Sequence, residues 1–246
     1  MSRIVDLSHV IEDGMTTYAG LPAPHICDFW TREGSAANYE DGSSFQIGRI
    51  DMVANTGTYL DSPFHRYAEG KDLADLPVEW LADLPGVRVT HLRERGLAVD
   101  VGAFERLDVR GKAVLVHTGW DDHWRTEQYG KDHPFLTAAA ADWLIENGAA
   151  LVGIDSNNID DTRQRTRPAH TALLGADIPI CEHMTGLGQL PDGGFRFSAV
   201  PPKVRGMGTF PVRACPVSVG TILVIECRAL PSCTRWSVLA LFPPLC

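Results

Sequence analysis

Apolar positions fall in short runs along most of the chain, and only two segments suit helices. Residues 4–7 open with a short strand pattern, and residues 45–50 alternate apolar and polar as a half-buried strand does. Residues 113–117 and 150–154 are near-continuous apolar runs bounded by turn residues, the pattern of strands covered on both faces. Between them, Thr137 is a candidate N-cap, residues 138–146 favour helix, and Asn147-Gly148 is a stop signal. Strand, helix and strand in that order predict a crossover unit with parallel strands. Residues 170–174 predict a short helix ended by Gly175, followed by an edge strand or strand end at 178–181. There is no internal repeat and no low-complexity linker. The expectation is α/β: one domain with a mixed sheet.

Length and charge narrow the function classes. At 246 residues the chain suits one to one and a half domains. Lys and Arg total 22 against 31 Asp and Glu, a net charge of −9. An acidic surface repels phosphate backbones and anionic lipid, which argues against nucleic-acid and membrane partners. The first residues carry acids where a signal peptide needs an apolar run, and no stretch nears the ~20 apolar residues of a membrane span. A soluble cytoplasmic protein acting on a small molecule is expected. Six cysteines form no CxxC pair, and four of them (Cys215, Cys227, Cys233 and Cys246) crowd the C-terminal end.

Two segments carry candidate chemistry. In Asn55-Thr56-Gly57-Thr58-Tyr59-Leu60-Asp61-Ser62-Pro63-Phe64-His65, an extended backbone places Asn55, Gly57, Tyr59 and Asp61 on one face. Gly57 then leaves room for a ligand, and Pro63 bends the chain before His65. The plainer reading is a Thr/Ser/Asn-rich turn bonded to itself. The second segment, residues 168–182, begins a helix near His170 and ends its return at Glu182. A histidine and a carboxylate meeting there suit a divalent metal or an acid–base pair; the plainer reading is a helix-end His and a surface Glu.

Taken together, these segments resemble the cyclase family that includes bacterial kynurenine formamidases and isatin hydrolases. That family carries His-x-Gly-Thr-His-x-Asp-x-Pro-x-His, and Gly57, Thr58, Asp61, Pro63 and His65 match its frame. His170 and Glu182 match a later His and Glu twelve residues apart. Residues 5–9, 118–120, 153–155 and 197–214 are also similar. The resemblance implies a swivelling β/β/α fold over residues 1–214, in a homodimer or higher homo-oligomer. It implies a divalent metal (Zn, Mn or Mg) held at the positions of Asn55, Tyr59, Asp61, His170 and Glu182, with His65 as proton shuttle. The implied reaction is hydrolysis of an amide or formamide, or opening of a cyclic amide or lactone, as in tryptophan catabolism.

Two ligand positions depart from that pattern: both leading histidines are replaced, by Asn55 and Tyr59. An amide and a phenol are poor zinc ligands, so an oxygen-rich site would favour a harder ion such as Mn²⁺ or Mg²⁺. The first reading is a metal-dependent hydrolase. The second is a metal-free cyclase, dehydratase or lyase using Tyr59 and His65 as acid and base. The third is a non-catalytic binder. Trp120 and Tyr18 are candidate substrate-binding residues, and Trp124 a further candidate wall. Residues 155–160 follow a buried strand and are weak candidates for a substrate-side loop. Arg163, Arg165 and Arg167 suit either an anionic substrate group or a solvated loop. His183 is expected to face away from Glu182. Residues 215–246 are expected to be an extension outside the domain, contributing no catalysis.

Overall fold

A computed structural model describes residues 3–218. The strands are β1 (Arg3–Ile4), β2 (His25–Trp30), β3 (Ile47–Asp51), β4 (Tyr59–Asp61), β5 (Leu84–Thr90), β6 (Ala98–Val99), β7 (Ala113–His117), β8 (Phe135–Leu136), β9 (Leu151–Ile154), β10 (Ile180–Glu182), β11 (Gly193–Ser198), β12 (Thr209–Pro211) and β13 (Cys215–Ser218). The helices are α1 (Arg32–Ala36), α2 (Ala138–Glu146) and α3 (Pro168–Gly175). Nine strands form one mixed sheet in the order β1-β13-β11-β5-β7-β9-β10-β4-β12.

The apolar runs earn their continuity because both faces of this sheet are covered. Along β7, Val114 and Val116 pack on one side with α2 and α3, while Ala113 and Leu115 pack on the other with Val5, Leu7, Phe195 and Phe197. Neither side faces water, so no polar alternation survives. The crossover is as expected: β7 and β9 run parallel, and Thr137 caps α2 by accepting the Ala140 N–H at 3.1 Å.

Four expectations change. The return at 178–181 is no edge: β10 is interior, parallel to β9 and antiparallel to β4. The alternating segment near 45–50 is not half-buried; β3 pairs only with β2 in a separate two-stranded ribbon and is exposed throughout. The stretch around Asn55 is extended only over residues 59–61, because Gly57 takes a left-handed φ of 65°. Gly57 faces Ile11, 3.0 Å from where a Cβ would stand, so it opens no room for a ligand. The domain also runs past residue 214, since Cys215–Ser218 pairs with both β11 and β1. The remainder of the C-terminal extension lies outside the described residues.

One close approach fixes the turn Pro63–His65 beyond β4. A Cβ on Gly208 would stand 2.4 Å from the His65 backbone nitrogen and 2.6 Å from its Cα. The Gly208 carbonyl accepts the Ser62 N–H at 2.7 Å. Gly208→Ala must therefore push the backbone that carries His65. A loss of about 1–3 kcal/mol, the range for overpacking, is expected in denaturant unfolding; an unchanged midpoint would refute this packing.

Candidate active site

Strand register builds the site. In β4, Tyr59 and Asp61 point to one face and Leu60 enters the apolar core on the other. On one flank Glu182 of β10 is the direct partner of Tyr59. On the other, Thr209 of β12 is the partner of Asp61. Pro63 opens a single 3₁₀ turn that places His65 above the same face. Helix α3 supplies His170.

These groups enclose a cleft of about 320 Å³ lined by Tyr18, Asn55, Tyr59, His65, Arg66, Asn158, Arg167, His170 and Glu182, with Leu21 at its edge. His170 is buried among this lining. Its Nε2 is 3.7 Å from Asp61 Oδ2 and 3.6 Å from Glu182 Oε1. Its Nδ1 is 2.6 Å from Asp160 Oδ2, and Asp160 also accepts the backbone N–H groups of Ala169 and His170. Burial would lower the His170 pKa, but Glu182, Asp160 and Asp61 overcome it and hold the imidazole protonated well above its ordinary range. Burial likewise raises Glu182, opposed by the charge of His170.

This charge balance bears on a metal. Asp61, Asp160 and Glu182 are almost fully buried, and His170 is the basic group among them. Asp61 Oδ2 is buried without a hydrogen-bond partner. Unpaired buried negative charge is costly, and a cation would relieve it while displacing the His170 proton. Asp61, His65 and His170 each present a donor atom, all within 4.8 Å of one another. The Asp160 contact to His170 Nδ1 resembles the support that metal-binding histidines receive, leaving Nε2 free to ligate. The residues therefore fit a divalent cation.

His65 is arranged differently. The Thr209 hydroxyl donates to Asp61 Oδ1, so His65 Nδ1 donates to the Thr209 oxygen at 2.9 Å. This network leaves Nε2 as the unprotonated nitrogen. The side chain is 35% exposed, enough for a small molecule to reach it.

The other sequence candidates divide. Tyr18 lines the cleft, and its oxygen accepts from Asn158 Nδ2 at 2.7 Å. Asn55 lines it too. Tyr59 is buried, and its hydroxyl donates to Glu182 Oε2 at 2.8 Å. Burial first, then Glu182 and Asp61, push its pKa well above that of an ordinary tyrosine. Trp120 lies outside the cleft: it is buried beneath the loop, its Nε1 donating to the Tyr129 carbonyl. Trp124 is also elsewhere, stacked on His9 with ring centroids 3.9 Å apart. Of the arginines, Arg167 lines the cleft while Arg163 is bound to Asp161.

Four residues contribute that no local sequence pattern singles out. Asp160 orients His170, and Ile159 N donates to Glu182 Oε1 at 2.6 Å; in sequence their loop is marked only by following a buried strand. Thr209 falls within the similar stretch 197–214 but belongs to no motif there. His183 was expected to face away, but its φ of 53° breaks the strand alternation. Its Nε2 lies 3.2 Å from the Tyr59 hydroxyl.

A family model described as "Putative cyclase" matches residues 5–161. The chain belongs to this cyclase family. Among curated cyclase-family relatives, a kynurenine formamidase of Geobacillus thermodenitrificans is 31% identical over 74% of this chain and 85% of its own length. One from Bacillus cereus is 27% identical over 87% of this chain and 96% of its own. The isatin hydrolase A of Labrenzia aggregata superposes with a TM-score of 0.74 at 20% identity, over 88% of this chain and 94% of its own. A structure titled a potential metal-dependent hydrolase with cyclase activity gives 0.73 at 24% identity, over 90% and 100%. These two likenesses carry the fold.

Burial keeps His183 and His9 neutral, lowering their pKa values to about 3 and about 4. Unfolding restores values near 6.5, so between these limits the unfolded chain binds more protons. Stability is present above about pH 6.5 and is lost as pH falls through the folded values. For the metal-free protein, denaturation in this acid window is expected to take up protons, and less so in His9→Gln. Equal uptake by both proteins would refute a neutral, half-buried His9.

Proposed function

We propose that this protein is a metal-dependent hydrolase that cleaves the C–N bond of a small amide, formamide or cyclic amide. The observation that carries the reading is the buried, charge-unbalanced cluster of Asp61, His170 and Glu182, opening directly onto a cleft that also holds His65. The kynurenine formamidase relatives support the substrate class.

Asp61, His170 and Glu182 would hold the cation, with Asn55 also lining the cleft and His65 left free for proton transfer. A divalent ion at such a position polarises a carbonyl and acidifies water. Because its oxygen-rich donors outnumber nitrogen, a hard ion such as Mn²⁺ suits the set better than zinc. His65 Nε2 takes a proton from the attacking water, while Nδ1 stays anchored on Thr209 and, through it, on Asp61. As the water oxygen bonds to the carbonyl carbon and the C–N bond breaks, His65 returns that proton to the leaving nitrogen. Tyr18, its oxygen already accepting from Asn158, is left with its own hydrogen to donate to the substrate. The cleft's size suits a single-ring substrate. The chain is proposed to work in the cytoplasm as a homo-oligomer.

An aryl formamide such as N-formylkynurenine is the first substrate to assay. Chelation is expected to abolish turnover and added Mn²⁺ or Zn²⁺ to restore it. His65→Ala is expected to lower kcat by about 10²–10⁴-fold, the usual share of general acid–base catalysis, while metal stoichiometry persists. Turnover indifferent to chelator but lost in Tyr59→Phe would overturn the proposal in favour of metal-free acid–base chemistry.

A further inference from the structure

Tyr59 occupies a position where the family motif has a histidine, yet its hydroxyl is already committed. Both Glu182 oxygens accept: Oε1 from the Ile159 N–H at 2.6 Å, Oε2 from the Tyr59 hydroxyl at 2.8 Å. That fixes the direction of the next contact. With its hydrogen spent on Glu182, the Tyr59 oxygen is the acceptor for His183 Nε2 at 3.2 Å. A neutral His183 that donates from Nε2 must accept at Nδ1, and the Tyr129 hydroxyl lies there at 2.9 Å. All four side chains are buried.

We infer that Tyr59 is a positioning residue and not a metal ligand: Tyr129, His183 and Tyr59 form a one-way hydrogen-bond chain that pins Glu182. The chain occupies Oε2 and turns Oε1 toward His170, where it stands 3.6 Å from Nε2. The geometry of each link supports this. His183 reaches Tyr59 only because its backbone is left-handed, at φ 53°, instead of continuing the alternation of β10. Tyr129 is held in turn, packed edge-on against Trp124 with centroids 5.0 Å apart. A ligating phenol would have to give up its hydrogen and its bond to Glu182, leaving a buried carboxylate oxygen unpaired beside Asp61. The arrangement narrows the donor set to Asp61, His170 and Glu182 Oε1, with His65 nearby, and so presents fewer nitrogen donors than the motif's histidines would.

This inference rests on the metal-dependent reading. It is tested by calorimetric titration of Mn²⁺ and of Zn²⁺ into the metal-stripped full chain, with melting curves confirming folding. The variants are Tyr59→Phe, His183→Gln and His183→Leu, with His170→Ala as the ligand-loss control. Loss of an outer-shell partner typically weakens metal binding ten- to a hundredfold. Tyr59→Phe is expected to keep one bound ion with affinity reduced in that range. His183→Leu should do the same. His183→Gln, which retains a donor to the Tyr59 oxygen, should recover most of the wild-type affinity. The Tyr59→Phe/His183→Leu double variant should be no weaker than the worse single one, because both cut the same chain. If His183→Leu fails to fold, Tyr59→Phe and His183→Gln decide. Binding abolished in Tyr59→Phe as fully as in His170→Ala would make Tyr59 a ligand and overturn the inference. Affinity unchanged in Tyr59→Phe would overturn it as well, by removing any positioning role. A wild-type chain that binds neither ion would overturn the metal-dependent reading and this inference together, which sets that failure apart from the other two.

Discussion

The site depends on the register of one three-residue strand held between two others. In β4, Tyr59 faces Glu182 across one boundary and Asp61 faces Thr209 across the other. Because side chains alternate with period two, slipping either boundary by one residue would bring Leu60 into the polar cluster and bury a carboxylate in the apolar core. The cost of such a slip is what holds the register. Leu60 is fully buried among Leu7, Cys181 and Met184, so the hydrophobic face of the strand positions the chemistry on the opposite face.

From that register, two hydrogen-bond systems grow around Asp61 and Glu182. One runs from His65 through Thr209 to Asp61. The other runs from Tyr129 through His183 and Tyr59 to Glu182. His170 sits between the two carboxylates, fixed from behind by Asp160. Buried hydrogen-bond networks of this kind are rigid, and Asp61 Oδ2, buried without a hydrogen-bond partner and 3.7 Å from His170 Nε2, is the carboxylate oxygen best placed to meet a cation. The mobile-proton side of the cleft, at His65, is the more exposed side, as a group exchanging protons with a substrate requires.

The replacement of two motif histidines by Asn55 and Tyr59 acquires a physical meaning in this setting. A histidine at position 59 would bring a nitrogen donor; the tyrosine instead brings a hydroxyl that stays protonated, because burial and the neighbouring carboxylates oppose a phenolate. Its effect on a bound ion is exerted through Glu182. Asn55 remains at the cleft wall, a neutral group beside charged ones.

Much of this was legible in the residues themselves. The apolar runs at 113–117 and 150–154 specified buried parallel strands, because only a strand covered twice dispenses with polar alternation. Thr137 and Asn147-Gly148 specified the helix between them, because orphan backbone groups need local partners. The spacing within residues 55–65 and from His170 to Glu182 identified the family and the cleft's main residues. What the sequence could not decide were contacts made across the sheet. Thr209 meets Asp61 from 148 residues away, and nothing local to Thr209 announces it. His183 turns inward through a left-handed backbone that no alternation rule anticipates. Trp120, promising as an aromatic wall, is consumed by packing beneath its own loop. Local propensity and periodicity are written residue by residue, and so can be read one segment at a time. Which oxygen of Glu182 is occupied, and by whom, follows only when distant strands fix their register against a common core.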